Sequence, residues 1–231
     1  MLEIIRSETR GAANHGWLDA KHTFSFAEYH NPERMGFGSL RVINEDRIEG
    51  GKGFDKHPHR NMEIVTYIIE GELEHKDSMG NGSLIRAGEL QRMTAGKGVF
   101  HSEVNPSEST THLLQIWILP EKTGLEPGYE QKLFDRESKL GQWCVLGSRD
   151  GHGGSLTIHQ DIELSATILE AGKSLDYEFA SGRRGFLQIV NGKLEIGDEI
   201  LLSGDGVAIS DTDSIAISAV AETELLLFDM A

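Results

Sequence analysis

The sequence predicts an all-β protein built from two copies of one β-fold in tandem. Three observations support this: short apolar runs recur roughly every ten residues, turn signals separate them, and two segments repeat at a domain-sized offset. We find no long amphipathic helix with start and stop signals, and expect at most short helices at 25–30 and 130–140. A chain of 231 residues is long enough for two compact domains.

The apolar runs have the composition of buried strands. Aliphatic, β-branched and aromatic residues dominate at 64–69, 113–119 and 186–190, and 225–228 is predicted to be a closing strand. The turn signals between runs are rich in Gly, Asn and Asp. Glycine supplies 27 of the 231 residues, which exceeds the usual fraction of about 7% and agrees with a chain of many turns.

A weak internal repeat predicts where the two copies lie. The segment 69–74 matches 190–195 at an offset of 121 residues, and 87–90 resembles 203–207 at an offset of 116. Repeats at this spacing indicate two tandem domains. We expect a first domain at 1–130 and a second at 131–231, because prolines and glycines interrupt the strand pattern between 120 and 141.

Composition excludes several classes of protein. The single cysteine, Cys144, excludes internal disulfides and sites built from several thiolates. A net charge of −15 argues against direct nucleic-acid binding through a basic face. No run approaches the ~18 apolar residues of a membrane span, and the N-terminus lacks a signal-peptide core. We therefore expect a cytoplasmic protein that binds no membrane, with a monomer as the simplest oligomeric state.

Two pairs of candidate metal ligands stand out among the ten histidines. His57 and His59 form a His-x-His pair, and His101 and Glu103 form a His-x-Glu pair 44 residues after His57. Residues i and i+2 of a strand share one face, so each pair can converge on one point. If the two strands are neighbours, three imidazoles and one carboxylate surround a cavity. Glu63 has the same parity as His57 and could replace Glu103 as the carboxylate ligand.

This donor set predicts one catalytic metal ion. Four protein ligands leave positions of an octahedral shell open for water, dioxygen or substrate. Imidazole and carboxylate donors without thiolate suit Fe(II), and also Mn, Ni, Cu or Zn. If Glu63 is not a ligand, it is a candidate to orient a histidine N–H group.

The spacing of these residues resembles the cupin superfamily, and several longer segments resemble the pirin family. The first cupin motif maps on Gly51, His57, His59, Glu63 and, one residue late, Gly71. The second maps on Gly98, His101 and Asn105, with Gly96 where a proline belongs. The pirin-like segments are Asn14-His-Gly-Trp-Leu-Asp, His22-Thr-Phe-Ser-Phe, His57-Pro-His-Arg, Glu70-Gly-Glu-Leu-Glu-His-Lys-Asp-Ser and Gly98-Val-Phe-His-Ser-Glu.

The resemblance implies a bicupin, two tandem jelly-roll β-barrels of which the N-terminal one holds a single metal ion, usually iron. It implies metal ligands at His57, His59, His101 and Glu103, and thus favours Glu103 over Glu63. The second barrel is expected to bind no metal, because the repeat offsets carry the four ligand positions to residues that form no comparable set, namely Glu178, Ala180, Ile217 and Ala219.

Two functions follow from the resemblance. The first is a quercetin 2,3-dioxygenase, which cleaves a flavonol-like substrate with O2 and in which Glu103 also accepts the substrate's hydroxyl proton. The alternative is a metal- or redox-sensing binding protein that acts as a transcription cofactor through a protein partner. We favour the enzyme.

Other histidines are harder to assign from the sequence. His15, His22 and His30 lie in an aromatic-rich opening segment, which either forms a wall of the substrate cavity or packs the N-terminus onto the barrel; we favour packing. His75, beside a Lys and an Asp at the end of a predicted strand, is expected to be solvated. His159 has no partner at ligand spacing.

Overall fold

The computed structural model describes residues 1–231 and confirms the all-β prediction. The first twelve strands are β1 (Leu2–Ile5), β2 (Gly11–Asn14), β3 (Leu18–His22), β4 (Leu40–Ile48), β5 (Gly53–His59), β6 (Glu63–Glu70), β7 (Glu72–Asp77), β8 (Gly82–Arg86), β9 (Glu89–Thr94), β10 (Val99–Val104), β11 (Thr111–Ile118) and β12 (Gly128–Leu133). After the helix α1 (Arg136–Lys139) come β13 (Cys144–Ser148), β14 (Leu156–Thr157), β15 (Ile162–Leu169), β16 (Ser174–Glu178), β17 (Arg184–Asn191), β18 (Lys193–Ile196), β19 (Glu199–Leu202), β20 (Gly206–Ile209), β21 (Ser214–Ala219) and β22 (Thr223–Met230). Two short 3-10 helices lie at Ser7–Thr9 and His152–Gly154.

The chain divides into two compact units. The unit that we call the first barrel comprises 11–133 and 156–160, and the second barrel comprises 1–10, 134–155 and 161–231. Residues 1–10, which we expected in the first domain, belong to the second barrel, because β1 pairs with β20. A repeat in the sequence reports similar local segments, and it carries no information about which distant strand a terminal strand joins.

The first barrel consists of two antiparallel sheets. The larger has the strand order β12-β9-β6-β11-β4-β3-β2, and the smaller has the order β5-β10-β7-β8. β6 (sequence EIVTYIIE) is buried over its first six residues, as expected for a run rich in β-branched side chains at the centre of a sheet. An apolar cluster that includes Ile48, Ile68, Leu73 and Ile85 fills part of this barrel.

The second barrel repeats the arrangement. Six of its strands lie in the order β1-β20-β17-β22-β15-β13, and four form the smaller sheet β16-β21-β18-β19. Alternate residues of these strands are aliphatic or aromatic and form one large buried cluster. The interior of this barrel is therefore an ordinary packed core.

Helix is confined to short segments. The expected helix at 130–140 is present as α1, which Asp135 begins by accepting a hydrogen bond from the Ser138 backbone N–H at 2.8 Å. The expected helix at 25–30 is wrong, because Phe26 and Tyr29 exchange two backbone hydrogen bonds across a tight turn. The helices are all too short to cross a bilayer.

Candidate metal centre

β5 and β10 are antiparallel neighbours in the smaller sheet of the first barrel. His101 lies directly opposite His57, and Val99 lies opposite His59. Burial along β10 alternates, with His101 and Glu103 buried and Ser102 between them half-exposed. Along the end of β5, His57 and His59 are half-buried while Pro58 is exposed. The two ligand pairs therefore share one face of the sheet, as strand periodicity predicts.

A β-bulge adjusts this pairing. Glu103 lies opposite Phe54 rather than Asp55, so β5 holds one extra residue between its pairs with His101 and Glu103. The strands approach closely here, because a Cβ atom on Gly53 would lie 2.1 Å from the carbonyl oxygen of Glu103. Only glycine fits at position 53 without displacing β10.

The three predicted histidine ligands are brought together. The ring centroids of His57 and His101 are 4.4 Å apart, and His59 lies 4.8 Å from each of them. Each ring offers a nitrogen within 4.8 Å of the nitrogens of the other two. The His57 Nδ1–H group donates to the backbone oxygen of Asp55 at 2.7 Å, which leaves Nε2 of His57 available as a ligand.

Glu103 is not part of this trio, but it forms a second group that shares His101 with it. Glu103, His101 and His75 each offer a donor atom within 4.8 Å of the others. Gln115 Nε2 donates to Glu103 Oε2 at 2.8 Å. Glu103 Oε1 and His101 Nε2 are buried and have no hydrogen-bond partner. Buried polar atoms are rarely left unpaired, so these two orphaned atoms fit a site that binds a cation.

The electrostatics favour neutral imidazoles. Burial, followed by the charge of His57, lowers the pKa of His59 from 6.5 to about 4. Burial and the neighbouring histidines lower the pKa of His101 to about 2. Both rings are thus neutral at pH 7 without a metal, which is the protonation state that ligation requires.

Two carboxyl groups of the first barrel have raised pKa values. Burial raises the pKa of Glu103 from 4.5 to about 7, against the opposing effect of the hydrogen bond from Gln115. Burial, and then the charges of Glu103 and Glu45, raise the pKa of Asp46 from 3.8 to about 7. Asp46 carries no local signal in the sequence, because it is one of 37 acidic residues.

A cavity of about 630 Å³ opens beside the histidines. His57, His59 and Glu103 line it together with aromatic side chains that include Trp17, Phe26, Phe54 and Trp117. His15 and His22 also contribute to its wall. Our preference for a packing role of the opening segment is therefore wrong for these residues, whereas exposed His30 lies outside the lining.

The prediction that His75 is solvated is also wrong. Its side chain is fully buried, because β7 pairs with β10 and places His75 opposite Glu103. His75 Nε2 donates to Asp77 Oδ2 at 3.1 Å, and His75 Nδ1 accepts from Gln91 at 3.2 Å and lies 3.5 Å from Nδ1 of His101. Burial lowers the pKa of His75 despite Asp77. The neutral ring therefore packs against His101.

Glu63, the alternative carboxylate, lies elsewhere. Its side chain is fully buried, and Oε2 accepts from the Thr94 hydroxyl at 3.0 Å and lies 3.2 Å from Nδ1 of His159. Glu63 belongs to neither group of candidate ligands. This geometry favours Glu103 over Glu63, because Glu103 shares a group of candidate ligands with His101, and it gives His159 a polar partner that the sequence did not indicate.

The second barrel fills the corresponding positions with apolar side chains. The 121-residue repeat aligns His75 with Ile196. Glu103 pairs with His75 in the first barrel. Ile217 pairs with Ile196 in the second barrel, so Ile217 corresponds to Glu103. The same register can be extended along β16 and β21 to find the residues that correspond to His57, His59, His101 and Glu103. They are Tyr177, Phe179, Ile215 and Ile217, and all four pack in the apolar core. Of the four positions that the repeat offsets alone indicate, only Ile217 belongs to this set, where it corresponds to Glu103 rather than His101.

Comparison with known proteins identifies the family. The family model described as Pirin matches residues 5–118, and one described as the quercetinase C-terminal cupin domain matches 145–230. This chain is 48% identical to the quercetin 2,3-dioxygenase of Escherichia coli K12, and the match covers 100% of this chain and 99% of that protein. A pirin-like protein of Caulobacter vibrioides is 39% identical, with both chains fully covered.

Solved structures give the same answer. The crystal structure of YhhW from Escherichia coli has a TM-score of 0.96 at 47% identity and covers 100% of this chain and 98% of its own. The bacterial pirin YhhW in complex with nickel(II) has a TM-score of 0.95 at 46% identity, with coverages of 100% and 99%. The predicted bicupin architecture and the predicted likeness to the quercetin 2,3-dioxygenases are thus confirmed. The chain belongs to the pirin family.

Proposed function

We propose that this pirin is a metal-dependent dioxygenase of the quercetinase type, which cleaves a flavonol-like ring with O2 at a mononuclear site formed by His57, His59, His101 and Glu103. One observation carries the proposal. Three imidazoles lie together beside a cavity with aromatic walls, and the buried atoms His101 Nε2 and Glu103 Oε1 have no partner within the chain.

The metal is a divalent cation, with Fe(II) as our first choice. Imidazole and carboxylate donors accept Mn, Ni, Cu or Zn as well. The nickel(II) complex of a pirin that is 46% identical supports a divalent cation as the cofactor. A cation held by these residues supplies positive charge that acidifies an enolic hydroxyl of the substrate.

We assign to Glu103 the role of accepting the proton of that hydroxyl. Its pKa is about 7 without a metal, and a cation bound beside it would lower that value and keep the carboxylate ionised, as a proton acceptor requires. The Gln115 amide holds Oε2 at 2.8 Å and leaves Oε1 free of partners. Trp117 Nε1 donates in turn to Gln115 Oε1 at 3.3 Å, which fixes the orientation of the amide.

The aromatic walls suit a flat, fused-ring substrate. Phe26 and Trp117 meet edge to face with centroids 5.4 Å apart, and Trp17 and Phe54 do the same at 5.4 Å. Such side chains bind planar rings and exclude water from the space beside them. A cavity of about 630 Å³ lies within the usual range of roughly 300–1,000 Å³ for small-molecule sites.

The proposal is tested by turnover with defined metals. The protein is stripped of metal, reloaded separately with Fe(II), Mn(II), Ni(II) or Cu(II), and incubated with quercetin without oxygen before air is admitted. We expect loss of the flavonol absorbance and release of carbon monoxide with at least one metal.

Variants locate the activity. His101→Ala should lose metal and turnover together, whereas His152→Ala, which removes an exposed histidine of the second barrel, should change neither. Quercetin oxidation by His101→Ala at the wild-type rate would refute the assigned site. No oxidation by the wild-type protein with any of the four metals would refute the dioxygenase proposal and favour a metal-sensing binding protein.

A further inference from the structure

Asp46 is a second buried carboxyl group of the cavity. It lies on β4, whose residues alternate across the sheet so that Asn44, Asp46 and Ile48 face the barrel interior. Asp46 is 3% exposed and contributes to the cavity wall. Its Oδ1 atom has no hydrogen-bond partner. A buried carboxylate oxygen without a donor is costly, so its retention needs an explanation.

The strands beside β4 offer Asp46 no side-chain donor. Its cross-strand neighbours are Ala20 on β3 and Leu113 on β11, and neither side chain can donate a hydrogen bond. The next pair along β4 is polar but engaged, because Asn44 Oδ1 lies 2.8 Å from Nδ1 of His22. Gln115, which lies opposite Asn44, donates to Glu103. Asp46 Oδ1 thus has no donor within the chain, and a molecule bound in the cavity can supply one.

We propose that Asp46 accepts a hydrogen bond from a substrate hydroxyl other than the one nearest Glu103, and thereby selects polyhydroxylated aromatic substrates over analogues that lack that hydroxyl. The inference rests on the proposed function, since it concerns the substrate of the same cavity. Gln115, which holds Glu103, lies opposite Asn44, and Asp46 lies two residues further along β4. Asp46 and the Gln115 position are therefore roughly 7 Å apart along the strand.

The test measures binding rather than turnover. Quercetin and 3-hydroxyflavone share the ring that would be cleaved and its hydroxyl, and they differ in the remaining hydroxyls. Each is titrated without oxygen into metal-loaded protein, with the fluorescence of Trp17 and Trp117 as the signal, since both side chains line the cavity. The wild-type protein should bind quercetin more tightly. Asp46→Ala should weaken quercetin binding about 10- to 100-fold, as expected when a substrate hydroxyl stays buried but loses its hydrogen-bond partner.

Controls separate a binding role from a structural one. Asp46→Ala should change the affinity for 3-hydroxyflavone less than about twofold and leave the metal content unaltered, because the lost contact is to a hydroxyl that this probe lacks. Asp46→Asn keeps the shape and one acceptor oxygen, and should show a smaller loss for quercetin alone. Glu45→Gln alters the adjacent buried carboxylate on the opposite face of β4, which bonds His112 at 2.9 Å, and should leave both affinities unchanged.

The outcomes distinguish this inference from the proposed function. Equal weakening of both probes by Asp46→Ala, or no preference in the wild-type protein, would overturn the role of Asp46 even if quercetin is oxidised. A wild-type preference for quercetin that Asp46→Ala abolishes supports the role of Asp46 even if no flavonol is oxidised. In that case the dioxygenase proposal fails while the selection of a hydroxylated aromatic ligand stands.

Discussion

Glu103→Gln removes one negative charge from the interior of the first barrel and keeps the shape of the side chain. Glu103 is 1% exposed, and burial raises its pKa from 4.5 to about 7. A carboxyl group whose pKa rises on folding favours the folded state only while it is protonated. Its favourable contribution is complete below the unfolded-state pKa and is lost as the pH rises through the folded-state pKa of about 7.

The size of the effect follows from these two pKa values. Each tenfold change in the ionisation constant corresponds to about 1.4 kcal/mol, so ionising Glu103 in the metal-free barrel costs about 3 kcal/mol in full. About 2 kcal/mol of this cost develops between pH 5.5 and pH 8. A glutamine carries no charge and avoids the cost. The free energy of unfolding of Glu103→Gln, relative to wild type, should therefore rise by about 2 kcal/mol over that interval.

Urea unfolding of the metal-free proteins at the two pH values measures this difference. Glu74→Gln is the matched control, because Glu74 lies half-exposed on the adjacent strand β7 and its substitution should have the same effect at both pH values. Adding the divalent metal should reverse the order of wild type and Glu103→Gln, since a ligand stabilises the form that binds it more tightly. A difference between Glu103→Gln and wild type that does not change with pH would refute the argument.

Three further predictions concern neighbouring positions. Gly53→Ala places a Cβ atom 2.1 Å from the carbonyl oxygen of Glu103, so it should cost about 1–3 kcal/mol of stability and lower the metal content. Urea unfolding and elemental analysis measure the two effects. Gly82→Ala, whose nearest contact is 4.0 Å away, is the control. Gln115→Leu removes the hydrogen bond to Glu103 and should weaken metal binding about tenfold or more in competition with a chelator, and unchanged affinity would contradict this. The double variant His101→Ile/Glu103→Ile should unfold at a higher urea concentration than the metal-free wild type at pH 8 and retain no metal; a lower midpoint would count against it.

The parts of the site that follow from strand periodicity could be predicted from the sequence. His57 and His59, like His101 and Glu103, are two residues apart, and this spacing alone places each pair on one face. Whether the two pairs meet depends on β5 and β10 being neighbours, and for that the prediction relied on the resemblance to cupins. The all-β class likewise follows from local runs and turns.

Residues whose role depends on pairing between distant strands could not be predicted. His75 looks solvated because Lys76 and Asp77 follow it, yet β7 lies beside β10 and buries it against Glu103. Asp46 reads as one more acid of an acidic chain, and only the neighbours of β4 reveal that it lacks a donor. The joining of β1 to the second barrel is a pairing across more than 200 residues, for which the sequence holds no local signal.

The two barrels show what separates a binding site from a core on the same fold. In the second barrel, Tyr177, Phe179, Ile215 and Ile217 occupy the inward positions of β16 and β21 and close the interior. In the first barrel the equivalent positions of β5 and β10 carry the four candidate ligands beside a cavity. Apolar side chains there would satisfy the demand for close packing, whereas each buried polar atom left without a partner costs about 1–3 kcal/mol. The first barrel has such atoms on His101, Glu103 and Asp46; the last two residues line the cavity, and His101 packs against His57 and His59, which also line it. Stabilising that arrangement requires ligands from outside the chain. These are a cation for His101 and Glu103 and, by our inference, a hydroxyl donor for Asp46.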